Sequence, residues 1–208
     1  MTRASNGSDK STERREQILE AAAVALAEVG FENITTRRIA QKAGVNVATL
    51  HYHFGTKEAL LAEAVRHALS RAVGVLRPAM AGAATPAEAL AAGIDTAWVL
   101  AQERPGILRY HLAVRSFQDP EAKRQAAGIY AAYRRLVEEV AERHLAEGGA
   151  LAPGVTPAGL AHYVVTAVDG ILLQHLVTAD EGAARSSLDI LRRHALSLLQ
   201  SGPAPAEE

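Results

Sequence analysis

Apolar residues recur along this chain at three- and four-residue intervals, and the runs are separated by glycine, proline and capping residues. Ile18, Ala22, Ala25, Leu26 and Val29 form one stripe ended by Gly30. Leu61, Val65, Ala68, Leu69, Ala72 and Leu76 form another, opened by Thr56 and closed by Pro78. Thr85-Pro86-Ala87-Glu88 is a capping box with proline in the first helical position, and Leu90, Ile94, Ala97, Trp98 and Ala101 follow as its buried stripe. Arg104-Pro105-Gly106 breaks that helix, and a short amphipathic piece runs from about Ile107 to Phe117. Asp119-Pro120 starts a long helix that Gly148-Gly149 stops; Thr156-Pro157 opens the next, to about Val177, and a last one spans roughly Ala184 to Gln200. The pattern predicts an all-α chain of about nine helices with no strand.

Residues 36–54, TRRIAQKAGVNVATLHYHF, carry the candidate chemistry. They predict two short helices around a tight turn: Thr36 caps the first, Ile39, Ala40 and Ala43 face inward, and Gly44 takes the left-handed conformation that a β-carbon disfavours. Asn46 caps the second, from about Val47 to His53. Leu50 and Phe54 point back to the core, which leaves Val47, Ala48, Thr49, His51, Tyr52 and His53 partly outside. Such a helix is only ~10 Å long. Presented to a major groove, its first residues reach base edges while its flanks hold phosphates.

Charge supports this reading more than the total does. The net charge is −1, yet residues 1–57 carry 8 Lys/Arg against 6 Asp/Glu, and no acid falls between Asn33 and Lys57, where Arg37, Arg38, Lys42 and Lys57 are joined by His51 and His53. A basic window on a near-neutral protein is an electrostatic footprint for phosphate, although a solvated face has the same composition. With no cysteine, disulfides, thiolate metal sites and thiol chemistry are excluded. The opening MTRASNGSDK is no signal peptide, and the apolar run from Leu160 to Val177 is interrupted by His162, Asp169, Gln174 and His175; a cytoplasmic protein with no membrane partner is expected.

The stretch FENITTRRIAQKAGVNVATLHYHFGTKEALL resembles the DNA-binding domain of the tetracycline-repressor (TetR) family, through its Thr-rich approach, its IA-x-x-AGV helix, its recognition helix ending near Phe and its Lys-x-x-Leu start to the next helix. The likeness covers residues 12 to about 65. It implies a helix-turn-helix domain over 12–55, a ligand-binding and dimerisation domain over 56–201, and disordered tails at 1–11 and 202–208. It also implies a homodimer on double-stranded operator DNA, repression relieved by a small-molecule effector, and no cofactor. Position by position, Thr36 and Arg37 would lie near phosphate or base, Val47, Ala48 and Thr49 would face the groove, and His53 and Lys57 would contact the backbone. His51 stands where the family usually has tyrosine, the tyrosine here being Tyr52.

The resemblance further places a dimer interface on the last two helices, at Gly170, Leu172, Leu188, Leu191, Ala195 and Leu198; the same apolar faces also suit the interior of one subunit. Trp98, Tyr110, His111, Tyr130, Tyr133 and His162 combine apolar bodies with polar tips and are the candidate lining of an effector site. Two other readings stand beside this one. A helical-bundle enzyme would need a metal or nucleophile motif, and there is no Glu-x-x-His pair, HExxH, Walker loop or nucleophile elbow. An adaptor using the helix-turn-helix as scaffold would not need the acid-free basic window.

Overall fold

Helices form where the stripes predict them, and their boundaries follow side chains that satisfy the free backbone groups at each end. The computed structural model describes residues 5–103 and 107–202, with side chains from Lys10 onward. Among these are nine α-helices: α1 Ser5–Asn33, α2 Thr36–Ala43, α3 Val47–Phe54, α4 Lys57–Ala81, α5 Pro86–Gln102, α6 Leu108–Arg115, α7 Pro120–Ala146, α8 Pro157–Thr178 and α9 Glu181–Ser197. A small antiparallel pair, β1 Ala150–Leu151 and β2 Leu199–Gln200, is added, with Ala150 opposite Gln200.

The capping box holds as read: the Glu88 N–H donates to Thr85 Oγ1 at 3.2 Å, and Glu88 Oε2 accepts from the N–H of Thr85 at 3.3 Å. Thr156 caps α8 through the Gly159 N–H, with Pro157 behind it. Several boundaries differ from expectation. Helix α1 begins by Ser5, inside the stretch assigned to a tail, since adding residues to an existing helix is far easier than nucleating one. Gly30 leaves helical geometry, yet Phe31–Asn33 resume it. Helix α4 continues past Pro78 to Ala81, its interior proline flanked by the buried Leu76 and Met80, whose packing offsets the lost hydrogen bond. Asp180 starts α9 earlier than read, and the chain after Ser197 pairs as a strand. The break at Arg104-Pro105-Gly106, Met1–Arg3 with Ala4, and the last six residues lie outside the described residues.

Packing divides the chain into two compact units. The first comprises the chain up to Ala72 together with Glu103–Gln125; the second comprises Val73–Gln102 and the chain from Ala126. In the first, Ile18, Ala22, Ala25 and Leu26 of α1 are buried together with Ile34, Ile39, Leu50, Phe54, Leu60, Leu61 and Val65. In the second, α5 packs on α8 and α9, and α8 on α9. There Leu172, Leu188, Leu191 and Ala195 are buried in the chain's own core, which corrects their expected place at a partner interface: they are taken up by the packing among α5, α8 and α9 within one subunit.

The β1–β2 pair is stapled by one side chain. His144 Nε2 lies 3.1 Å from the carbonyl oxygen of Ala150 and 2.9 Å from that of Gln200, so a single N–H serves one carbonyl on each strand. Gly149 leaves room for that imidazole, because a β-carbon there would overlap it. Gly149→Ala is therefore expected to displace His144, release β2 and cost about 1–2 kcal/mol. Thermal melting and amide exchange at Leu199–Gln200 measure it; undiminished protection there would remove His144 from this role.

Candidate nucleic-acid interface

The segment between α1 and α4 is built around two short helices whose ends are all closed by local hydrogen bonds. Thr35, and not Thr36, caps α2: its Oγ1 accepts the Arg38 N–H at 3.2 Å, while Thr36 is the first helical residue. The two threonines are equally good caps by type, and the one chosen is the one that lets Ile34 and Ile39 both reach the core. At the other end Gly44 has φ 65° and ψ 33°, and the N–H groups of Gly44 and Val45 close onto the carbonyls of Gln41 (3.3 Å) and Ala40 (3.0 Å). Asn46 then caps α3, accepting from the Thr49 N–H at 2.7 Å and the Thr49 hydroxyl at 2.9 Å.

The inner face of α3 is Leu50 and Phe54, both buried. Arg15 of α1 lies 5.0 Å from the centre of the Phe54 ring and pairs with Glu63 of α4, so one guanidinium joins three helices. Gln17 adds a bond from its amide to the Ala43 carbonyl at 3.2 Å. The outer face carries Ala48, His51 and Tyr52, all exposed, with Tyr52 at 85 %, and Val47, Thr49 and His53 half-exposed. His51 is not idle: its Nδ1–H donates to the Gly55 carbonyl at 2.8 Å, closing the C-terminus of α3 and leaving Nε2 outward.

The basic window separates into distinct roles. Glu28 of α1 takes Lys42 at 2.9 Å and approaches Arg38 at 3.8 Å. Lys57 donates to the Ile34 carbonyl at 3.4 Å, tying the start of α4 to the loop before α2. Arg37, exposed in the first turn of α2, has no side-chain partner among the described residues and is available to an anion. Thr35, Gly55, Arg15 and Gln17 were not singled out from sequence; a doubled threonine was the only visible signal for the first.

The candidate effector residues are divided between the two units. Tyr110 and His111 belong to the first unit, while Trp98, Tyr130, Tyr133 and His162 belong to the second. His162 is exposed on α8, and the Tyr130 hydroxyl donates to the Asp169 carboxylate. Trp98 is buried with its ring centre 4.9 Å from that of His175, and both Trp98 Nε1 and His175 Nδ1 are buried without a hydrogen-bond partner among the described residues.

Comparison with known proteins identifies both parts of the chain. Residues 18–64 match the family described as bacterial regulatory proteins, tetR family, and residues 86–200 match the C-terminal part of BetI-type transcriptional repressors. The chain is 32 % identical over 162 residues to the HTH-type transcriptional regulator BetI of Rhizobium meliloti (strain 1021), covering 77 % of each. To BetI of Brucella melitensis biotype 2 it is 27 % identical over 205 residues, covering 93 % of this chain and 95 % of the relative. A TetR transcriptional regulator from Chloroflexus aurantiacus J-10-fl shares the fold, with a TM-score of 0.80, 17 % identity, and coverage of 93 % of this chain and all of that one.

A β-carbon on Gly44 would meet nothing within 4 Å, so any cost of replacing it lies in the backbone alone. Gly44→Val is expected to destabilise the first unit by about 1–2 kcal/mol, with Gly44→Asn costing less, since asparagine tolerates the left-handed region. Denaturant titration of both variants checks this; equal stability of Val, Asn and Gly would mean that the turn does not depend on positive φ.

Proposed function

Because this chain belongs to the TetR family of transcriptional regulators, we propose that it acts in the cytoplasm as a dimeric repressor, holding a palindromic operator through α3 and releasing it when a small molecule occupies the second unit. The observation that carries the DNA-facing part is the outer side of α3, capped at both ends and bare of protein, beside the unpartnered Arg37. Laid in a major groove, the first turn of α3 brings Val47, Ala48 and Thr49 to base edges, and Thr36, Arg37, Tyr52 and His53 to the sugar-phosphate backbone. The Thr49 hydroxyl proton is committed to Asn46, so its oxygen offers a lone pair. In the major groove that suits the exocyclic amines of adenine and cytosine. His51, its Nδ1–H committed to the Gly55 carbonyl, presents the rest of its ring on the same outer face. Lys57 contributes through the loop it braces.

Operator binding by two copies requires recognition helices about 34–36 Å apart, or a multiple of that. The surface that best suits a second copy is the outer stripe of α8 and α9. Helix α8 is long and apolar enough to span a bilayer by composition, yet only 28 % of its most apolar window is buried within the chain. Tyr163, Leu173 and Val177, the last 79 % exposed, lie on one side of it, and Ile190 and His194 on α9 adjoin them through a 2.8 Å hydrogen bond between Tyr163 and His194. Gly170 belongs to this stripe, and a β-carbon there would meet nothing in its own chain, so its smallness serves an approaching helix. Leu198, half-buried, lies at the end of α9.

For the effector, the buried Trp98 N–H and His175 Nδ1 are polar anchors that an incoming molecule would satisfy, and leaving them unmet costs about 1–3 kcal/mol each. An effector that favours a conformer with mismatched spacing lowers DNA affinity by its differential binding energy, and DNA weakens effector binding equally.

With an operator selected from genomic DNA, Arg37→Ala is expected to weaken matched and scrambled duplexes alike and to lower the salt slope by about 1, whereas Thr49→Val narrows the difference between the two duplexes by roughly 1–3 kcal/mol. Full affinity and selectivity in both variants would sink this docking. For the assembly, Leu173→Glu is expected to convert dimer to monomer in analytical ultracentrifugation, with operator affinity falling at least tenfold, and a dimer that persists would move the interface elsewhere.

A further inference from the structure

Helix α6 belongs to the first unit, although the chain arrives there from α5, which lies in the second, and leaves through α7, which runs into the second from Ala126. It packs on α1, and two of its side chains converge on one place, the bend at Gly30 and Phe31. Gly30 has φ 72° and ψ 171°, a combination open essentially to glycine alone. The His111 ring covers this bend, with Cε1 3.5 Å from the point a β-carbon on Gly30 would occupy. One turn further on, the Arg115 guanidinium lies 4.9 Å from the centre of the Phe31 ring. Arg115 is itself held, its Nε–H donating to Asp119 Oδ2 at 2.9 Å. Asp119 also accepts the Ala122 and Glu121 N–H groups that open α7, and the Ala122 N–H, then the Arg115 guanidinium, keep its carboxyl below the usual range. Past Phe31 the chain needs only Ile34, which is buried, and Thr35, which caps α2, to enter the helix-turn-helix.

We infer that Arg115 and His111 are positioning residues for DNA binding: by gripping the Gly30–Phe31 bend they fix the direction in which the chain enters α2, and so tie the state of the 103–125 segment to the recognition helix without touching DNA. This rests on the docking above only in locating DNA on α3. If the grip loosens, α2 and α3 sample more orientations, and the apparent Kd rises by the inverse of the competent fraction. The 103–125 segment is covalently continuous with the second unit at both ends, so a change there has a path to the bend through the chain itself.

The test uses the full chain and, as probe, the duplex oligonucleotide that the unaltered protein enriches from a random-sequence pool. Arg115→Gln and Phe31→Leu are each expected to weaken binding about 3–10-fold, and the double variant no more than Arg115→Gln alone. Arg115→Lys, which keeps a cation over the ring, recovers part of the loss. The slope of log affinity against log salt stays as in the unaltered protein, because no phosphate contact is removed, while Arg37→Ala flattens it by about 1. Unaltered affinity in Arg115→Gln, additive losses in the double variant, or a slope flattened by Arg115→Gln would each overturn the proposal. If Arg115→Gln melts below the assay temperature, the cycle of Phe31→Leu with Arg115→Lys decides the same question. An unaffected Arg37→Ala beside coupled losses at Arg115 and Phe31 would support the positioning role and reject the docking.

Discussion

An eight-residue helix does not hold its shape in water, because the cost of nucleating it exceeds what so few hydrogen bonds return. Everything at the DNA-facing surface depends on how α3 escapes that limit. Its start is held by Asn46, its end by the Gly55 N–H and the His51 ring, and its inner side by Leu50 and Phe54 in the core. Gly44 sets the direction in which it leaves α2. The helix is thus held with only His51 and Thr49 of its outer side chains engaged locally, and Ala48 and Tyr52 remain exposed for a partner.

The same economy governs the charges. A protein of net charge −1 binds DNA only if its few cations are presented locally, and the acids of α1 and α4 take several of those available: Glu28 for Lys42 and Arg38, Glu63 for Arg15. Exposed pairs of this kind contribute little to stability individually. Their effect is to orient the helices and, within the basic window, to leave Arg37 exposed for an anion.

In the second unit, the apolar side chains of α8 and α9 fall into two sets. One, with Leu172, Leu188, Leu191 and Ala195, is consumed by the chain's own core; the other, with Leu173, Val177 and Ile190, is bare. A helix apolar on both sides belongs in an interior, and α8 has one such side that the rest of its chain leaves exposed.

The sequence by itself determined the all-α class, the order of the helices, the Gly44 turn, the Asn46 and Thr156 caps, the Thr85–Glu88 box and membership of the TetR family. These are local features: a cap or a left-handed glycine is decided within four residues, and helical periodicity within three turns. Tertiary structure decided which of two adjacent threonines caps α2, that α4 runs through Pro78, and which stripe of α8 and α9 is core. It also decided that His51 closes a helix end while Lys57 braces a loop. Each of these depends on what lies across from the residue, and a choice between two chemically equal faces or partners is made by packing between segments far apart in the chain, which no local pattern records.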